Sequence, residues 1–291
     1  MTAERDNPND PGSDNYRGYQ VTSPPSSSKS SSSSYVAPPP PPSSSSVAAV
    51  LSSSSAVPSS SSVAPPPPSS SSSIPSSSSV GSVPSGGKGN DIANYRTTQI
   101  GEQVWMAENL NYYVAGSKCG GDDGKLSDDN TSICDKYGRL YNWATAMNLE
   151  ASCNSSYCAS QVGEKHQGIC PSGWHLPSNA DWNVLMKFVN PICTDNRNCA
   201  GAGTMLKAKD GWNTSSGYIA GTDDYGFSAL PGGFGDSYGT FYSVGNLGYW
   251  WSASEYYSDL ANFWDVRYLY EDVFYDADNK RQLVSVRCVK D

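Results

Sequence analysis

From Val21 to about Asn90 the chain is almost entirely Ser, Pro, Val and Ala, as in "SSSSYVAPPPPPSSSSVAAVLSSSS". This tract limits the fold more than any other feature. It has too little apolar side chain to offset the entropy of ordering it, so no core can form there. Its Pro blocks favour stiff polyproline II and its Ser blocks a flexible coil. A coil of that length has an end-to-end distance of roughly 45 Å, which the Pro blocks extend. The tract reads as a disordered tether of residues 21–90 behind a polar segment of residues 1–20. Basic residues that would flank a ligand for Pro-recognising domains are missing, and the hydroxyl-rich composition suits O-linked sugars.

What can fold is residues 91–291, a sensible length for one domain. Acids and bases cancel through Asn90, so the net charge of −9 sits on this domain. Nucleic acid requires a basic footprint and is excluded as a partner. All eight cysteines lie here: Cys119, Cys134, Cys153, Cys158, Cys170, Cys193, Cys199 and Cys288. An even count with close pairs in Asn/Ser-rich loops points to disulfides and an oxidising compartment. Zinc is the rival, but neither close pair has a short knuckle spacing or a neighbouring histidine. Connectivity stays open on spacing alone, because eight cysteines allow 105 pairings. The opening "MTAERDNPND" shows no signal peptide, and no window approaches a transmembrane helix. The cysteines and tether nonetheless predict a secreted or cell-surface protein.

Along the domain, "NYRTTQIGEQVWMAENLNY" predicts two strands around a turn at Gly101-Glu102, with Val104 and Met106 inward. "YGRLYNWATAMNL" predicts a helix on the spacing of Leu140, Trp143, Ala144 and Met147. A second helix starts at Ser178, an N-cap with Asp181 completing a capping box and Leu176 or Pro177 stapling onto Trp182. Its apolar face is Trp182, Leu185, Met186 and Val189, and Pro191 ends it. A short helix near Thr204–Lys209 and a glycine-rich, mostly antiparallel β-region follow, giving an α+β domain with two main helices.

The segments "IGEQVWMAENLNY", "YGRLYNWATAM", "CPSGWHLPSNADW", "YGFSALPGG", "GYWWSASEY" and "VRCVKD", in that order, resemble the Fibrobacter succinogenes major paralogous domain. The resemblance covers nearly all of residues 91–291 and brings no established activity with it. A "HLP" segment opening a helix, a "WW-S-S" strand and a closing "VRC" strand are also similar to C-type-lectin-like folds. That likeness implies a disulfide-stapled, loop-rich domain with a Cys170–Cys288 bridge. In the chain-entropy model such a link is worth about 4–5 kcal/mol.

His175 could be a base or ligand, but it sits between Trp174 and Leu176 with only His166 for company. The reading is a buried histidine hydrogen-bonded to backbone. Asp122, Asp123, Asp128 and Asp129 crowd one loop and are weak candidates for calcium. They lack EF-hand spacing, and neither the Glu-Pro-Asn nor the Gln-Pro-Asp sugar-calcium triplet occurs, so a solvated acidic loop is the expectation and no cofactor is assigned. Aromatics crowd the β-region. Strand alternation puts Tyr249 and Trp251 on one face and Trp250 on the other, so more than half must be packing. The remainder suit a recognition surface for polysaccharide or a cell-surface protein, with Trp212, Tyr238, Tyr242, Trp251, Trp264 and Tyr268 as its candidate residues. The expected function is a non-catalytic binding module. The alternatives are an enzyme on a formylglycine-generating-enzyme-like fold, whose cysteines would have to react, and a purely structural surface protein.

Overall fold

The computed structural model describes residues 87–291. The polar segment 1–20 and most of the tether lie outside these residues. Residues just before the predicted boundary at residue 91 also bond to the domain. The Lys88 amide donates to Asn111 O (2.8 Å), its ammonium pairs with Glu108 (2.6 Å), and Tyr95 Oη donates to Gly89 O (2.7 Å).

Strands β1 (Thr97–Ile100) and β2 (Gln103–Met106) pair antiparallel around Gly101-Glu102. Gly101 has φ +61°, the left-handed conformation a two-residue hairpin demands. Val104 and Met106 contribute to one core and Trp105 to another, so β2 is buried on both faces. Two short strands, β3 (Cys119–Gly120) and β4 (Leu126–Ser127), pair across the acidic loop, and α1 (Ser132–Tyr137) follows, capped by the Thr131 hydroxyl.

The helix predicted over "YGRLYNWATAMNL" is mostly absent. Leu140–Tyr141 form strand β5, and only Trp143–Ala146 (α2) are helical. Tertiary pairing outcompetes the local pattern here. β5 pairs with the distant Val284 and Ser285, and Asn142 then caps the next turn at once. All four predicted apolar residues are still buried.

Strand β6 (Trp174–His175) leads into α3 (Asn179–Val189). The capping box forms as predicted: Asp181 accepts from the Ser178 amide (2.8 Å) and the Ser178 side chain accepts from the Asp181 amide. Trp182, Leu185, Met186 and Val189 form the buried face. Leu176 packs into the first core and Trp182 into the second, which separates the expected staple pair. Helix α4 (Ala202–Leu206) starts two residues before the predicted Thr204.

A small hairpin, β7 (Phe234–Gly235) and β8 (Phe241–Tyr242), precedes the long strands β9 (Leu247–Glu255), β10 (Leu260–Arg267) and β11 (Val273–Asn279). The short β12 (Val284–Ser285) and β13 (Val289–Lys290) close the chain. One sheet runs β1-β2-β13-β6 and the other β11-β10-β9-β12-β5, antiparallel except where β12 lies parallel to β9. Both faces of the larger sheet are covered. Tyr249, Trp251 and Phe263 enter the first core. Trp250, Trp264 and Val266 enter the second, where Trp182 meets Trp105, Phe227, Trp250 and Trp264 at centroid distances of 4.9–6.4 Å.

Four disulfides join Cys119–Cys134, Cys153–Cys158, Cys170–Cys288 and Cys193–Cys199, leaving no free thiol. The Cys170–Cys288 link is the one that the lectin-like resemblance implied. The loop-rich regions are held further by buried cations. Lys207 donates to the carbonyls of Ile219, Arg267 and Tyr270, and Arg287 to those of Phe227 and Ser228 and to Asn109. Each gathers carbonyls from segments distant in the chain, at the cost of desolvating a charge. Burial pushes the Lys207 ammonium down to about 8.

Candidate binding surface

The six aromatic candidates do not converge on one groove. Trp212, Trp251 and Trp264 are buried, with Trp212 Nε1 donating to Ala229 O and Trp251 Nε1 to Tyr141 O. This corrects their assignment to a surface: a sheet covered on both faces leaves neither side of β9 or β10 to solvent. Tyr242 is half-buried, stacked on Phe234 and bonded to Asp236 (3.0 Å), and Tyr268 is half-buried against the second core. Only Tyr238 is exposed, at 93%, alone at the tip of the β7–β8 hairpin.

The exposed aromatic pair lies elsewhere. Tyr256 and Tyr257 follow β9 directly, with rings edge-to-face at 4.5 Å. The neighbouring Tyr257 raises the pKa of Tyr256. Just before them in the chain, Ala253, Ser254 and Glu255 line a cleft of about 280 Å³ together with Ala159, Val162 and Ser178, slightly under the range of ordinary small-ligand pockets.

One wall of this cleft is the segment that follows the Cys153–Cys158 bridge. Both Glu255 oxygens accept from the Cys158 amide (2.9 and 3.0 Å), and Glu255 pairs with Lys280. Lys280 also donates to Ser156 O (3.2 Å) and Ser258 O (2.9 Å), and lies over the Trp143 ring at 4.6 Å. Glu255 and Lys280 are fully buried, so one ion pair clamps the loop onto the β9–β10 hairpin. The opposite wall is the start of α3. The Asn179 amide donates to Ser254 Oγ (3.0 Å), and its Nδ2 donates to Asn262 Oδ1 (2.9 Å) and Tyr275 Oη (3.1 Å). Asn179 Oδ1 is buried without a partner among the described protein groups. The cleft itself presents the Ser178 and Ser254 side chains among mostly apolar neighbours, and the two exposed phenol rings follow it directly in the chain; hydroxyls can hydrogen-bond a polyol and phenol rings can stack on its C–H face. Tyr256 and Tyr257 are not among the six aromatic candidates taken from the sequence. The clue was their position directly after the long β9 run, at a hairpin tip.

His175 is buried as predicted, but its partners are carboxylates rather than backbone. Nδ1 lies 2.8 Å from Asp291 Oδ1, and Nε2 faces Asp181 Oδ2 at 3.4 Å without hydrogen-bond geometry. Burial is the largest single influence and disfavours the imidazolium. The two carboxylates together outweigh it, and the pKa is raised. Asp181, against its own desolvation, is lowered by His175 and Ser178. The triad ties β6, α3 and the residue after β13 together.

The acidic loop does not gather its carboxylates. Asp128 pairs with Lys118 (2.5 Å) and Asp123 faces Lys125 (3.9 Å) while accepting from the Lys125 amide (3.1 Å). Among the described residues no group of three or more His, Cys, Asp or Glu is arranged to hold a metal ion. No described helix is long and apolar enough to cross a membrane. Ser228, at φ +52°, donates its hydroxyl to Asp223 (2.7 Å); its carbonyl serves Arg287, so it acts as a loop support.

No curated protein and no solved structure matches the chain. A family model does, described as the Fibrobacter succinogenes major domain and spanning residues 98–290, from within β1 to the end of β13. The chain belongs to the Fibrobacter succinogenes major domain family.

Proposed function

We propose that this protein is an exported, non-catalytic recognition module on a Ser/Pro tether, engaging polysaccharide through the cleft and the exposed tyrosines at the β9–β10 hairpin. The exposed Tyr256–Tyr257 pair, next in the chain to a cleft lined by Ser178, Ser254 and Glu255, carries the reading. Four disulfides suit an oxidising compartment outside the cytosol. Bridging of all eight cysteines leaves no thiol for the formylglycine-type alternative.

No free cation lines the cleft, and the domain carries the whole net charge of −9, so the favoured ligand is a neutral glycan. The test is retention of the unreduced full chain on neutral polysaccharides (xylan, mannan, mixed-linkage glucan) against polygalacturonate, with Tyr256→Ala/Tyr257→Ala as the control. The expected result is retention on a neutral polymer, insensitive to salt and weakened at least about tenfold in the double variant, since stacked aromatic anchors dominate such contacts. Binding unchanged by the double variant would remove the site, and no retention on any polymer would remove the reading.

A further inference from the structure

Two edge strands of the sheets, β11 and β1, are treated differently. On β11 every outward amide is filled: Val273 by Cys199 O, Tyr275 by Asn198 Oδ1, Ala277 by Asp276 and Asn279 by Asp278. Such plugging blocks pairing with another chain. On β1 nothing equivalent exists among the described residues. The two-residue turn makes Ile100–Gln103 and Thr98–Trp105 the hydrogen-bonded pairs, so Thr97 and Gln99 direct their N–H and C=O groups outward. Both residues are exposed, and no described group bonds their backbone.

Beside this open edge lies an apolar patch. Val184, Phe188 and Ile192 recur at intervals of four along the outer side of α3 and just past its end, and are 51%, 50% and 79% exposed. The patch is continuous with the strand. Phe188 lies so close to Gly101 that a Cβ there would sit 2.8 Å from its ring, and it packs edge-on against Tyr225 (5.7 Å). Tyr225 O in turn accepts from Thr98 Oγ1 (2.7 Å).

We propose that β1 is a self-association edge, pairing antiparallel with β1 of a second copy of this chain. A two-fold axis through Thr98 sets Thr97 opposite Gln99 of the second copy and the reverse, the register in which all the outward groups of both strands meet. Thr98 then faces its own equivalent, a favourable cross-strand pair. The same axis keeps both α3 helices on one face of the joined sheet, so the two apolar stripes flank the seam. Thr97–Ile100 carries no charge, and Lys187, between Val184 and Phe188 on α3, is already paired with Asp195 (2.8 Å). The strand therefore adds no like-charge repulsion at the seam. The contact is isologous and closes at two. Four residues of strand and three side chains make a small interface, in the class of weak, transient association. Paired heads would raise the avidity of whatever surface each head binds.

Sedimentation equilibrium on the unreduced full chain tests this. The expected result is a monomer–dimer equilibrium with a dissociation constant on the order of 100 µM, as for small interfaces. Val184→Glu/Ile192→Lys should weaken it at least tenfold. Gln99→Pro, which removes an outward amide where an edge strand tolerates proline, should do the same. Circular dichroism would confirm that each variant is folded. A chain monomeric at millimolar concentration overturns the proposal, as does a dimer that both variants leave unchanged. Capture of an unrelated extended peptide on β1 by a strictly monomeric chain also overturns it, since the edge would then serve a foreign strand.

Discussion

Replacing Lys280 with Met is the sharpest test of how the cleft is held. Lys280 is fully buried and serves Glu255, Ser156 O and Ser258 O, with its charge over the Trp143 ring. Methionine keeps most of the volume but leaves Glu255, also buried, with only the Cys158 amide to stabilise its charge. Removing one partner of such a pair costs about 3–5 kcal/mol, because the other charge stays buried and unpaired. For a domain of this size that lowers Tm by roughly 6–20 °C. Replacing both partners, Glu255→Gln with Lys280→Met, removes the orphaned charge and should recover a large part of the loss. Urea unfolding of the unreduced wild type, both single variants and the double variant closes the cycle. A Lys280→Met penalty under about 1 kcal/mol, typical of exposed pairs, would refute the claim that this pair clamps the loop.

Three further outcomes follow from the same geometry. The raised pKa of His175 contributes stability that is fully present below its unfolded value of about 6.5 and is lost as pH rises through the folded value, while the lowered Asp181 loses its contribution as pH falls through its folded value. Thermal melts of the wild type should therefore decline from pH 6 towards pH 8 relative to His175→Asn, in which this decline disappears; parallel profiles would contradict the triad. Ser178→Ala should cost about 1 kcal/mol in chemical unfolding through loss of the α3 cap, with Ser178→Gly costing less. Cys170→Ser/Cys288→Ser opens a loop of sequence separation 118 and should cost about 4–5 kcal/mol, against about 2 kcal/mol for the short Cys153–Cys158 loop. Equal losses would show that loop entropy does not set the difference.

Local chemistry made parts of this fold legible in the sequence. The Ser178–Asp181 box, the apolar face of α3 and the hairpin at Gly101-Glu102 depend on residues within one or two turns of each other. The aborted helix at Leu140 was not legible, because its competitor is a strand more than a hundred residues away. Exposure of the tryptophans failed for a related reason: alternation assigns residues to two faces but does not reveal that both faces of β9 and β10 are covered. The buried lysines were equally hidden, since Lys207 is satisfied by carbonyls from Ile219, Arg267 and Tyr270, in segments that meet only in the folded chain. What identified the family was the ordered set of motifs, and what placed the candidate cleft was the geometry around the β9–β10 hairpin.

The central claim is that ligand meets this domain at the Tyr256–Tyr257 cleft. Backbone amide chemical shifts of the unreduced domain, followed during titration with neutral xylan, mannan or mixed-linkage glucan oligosaccharides, test it most directly. The account predicts shifts concentrated at Val162–Glu164, Ser178–Asn179 and Ser254–Tyr257. Shifts confined to the β7–β8 hairpin around Tyr238, or none with any of the three, would contradict it.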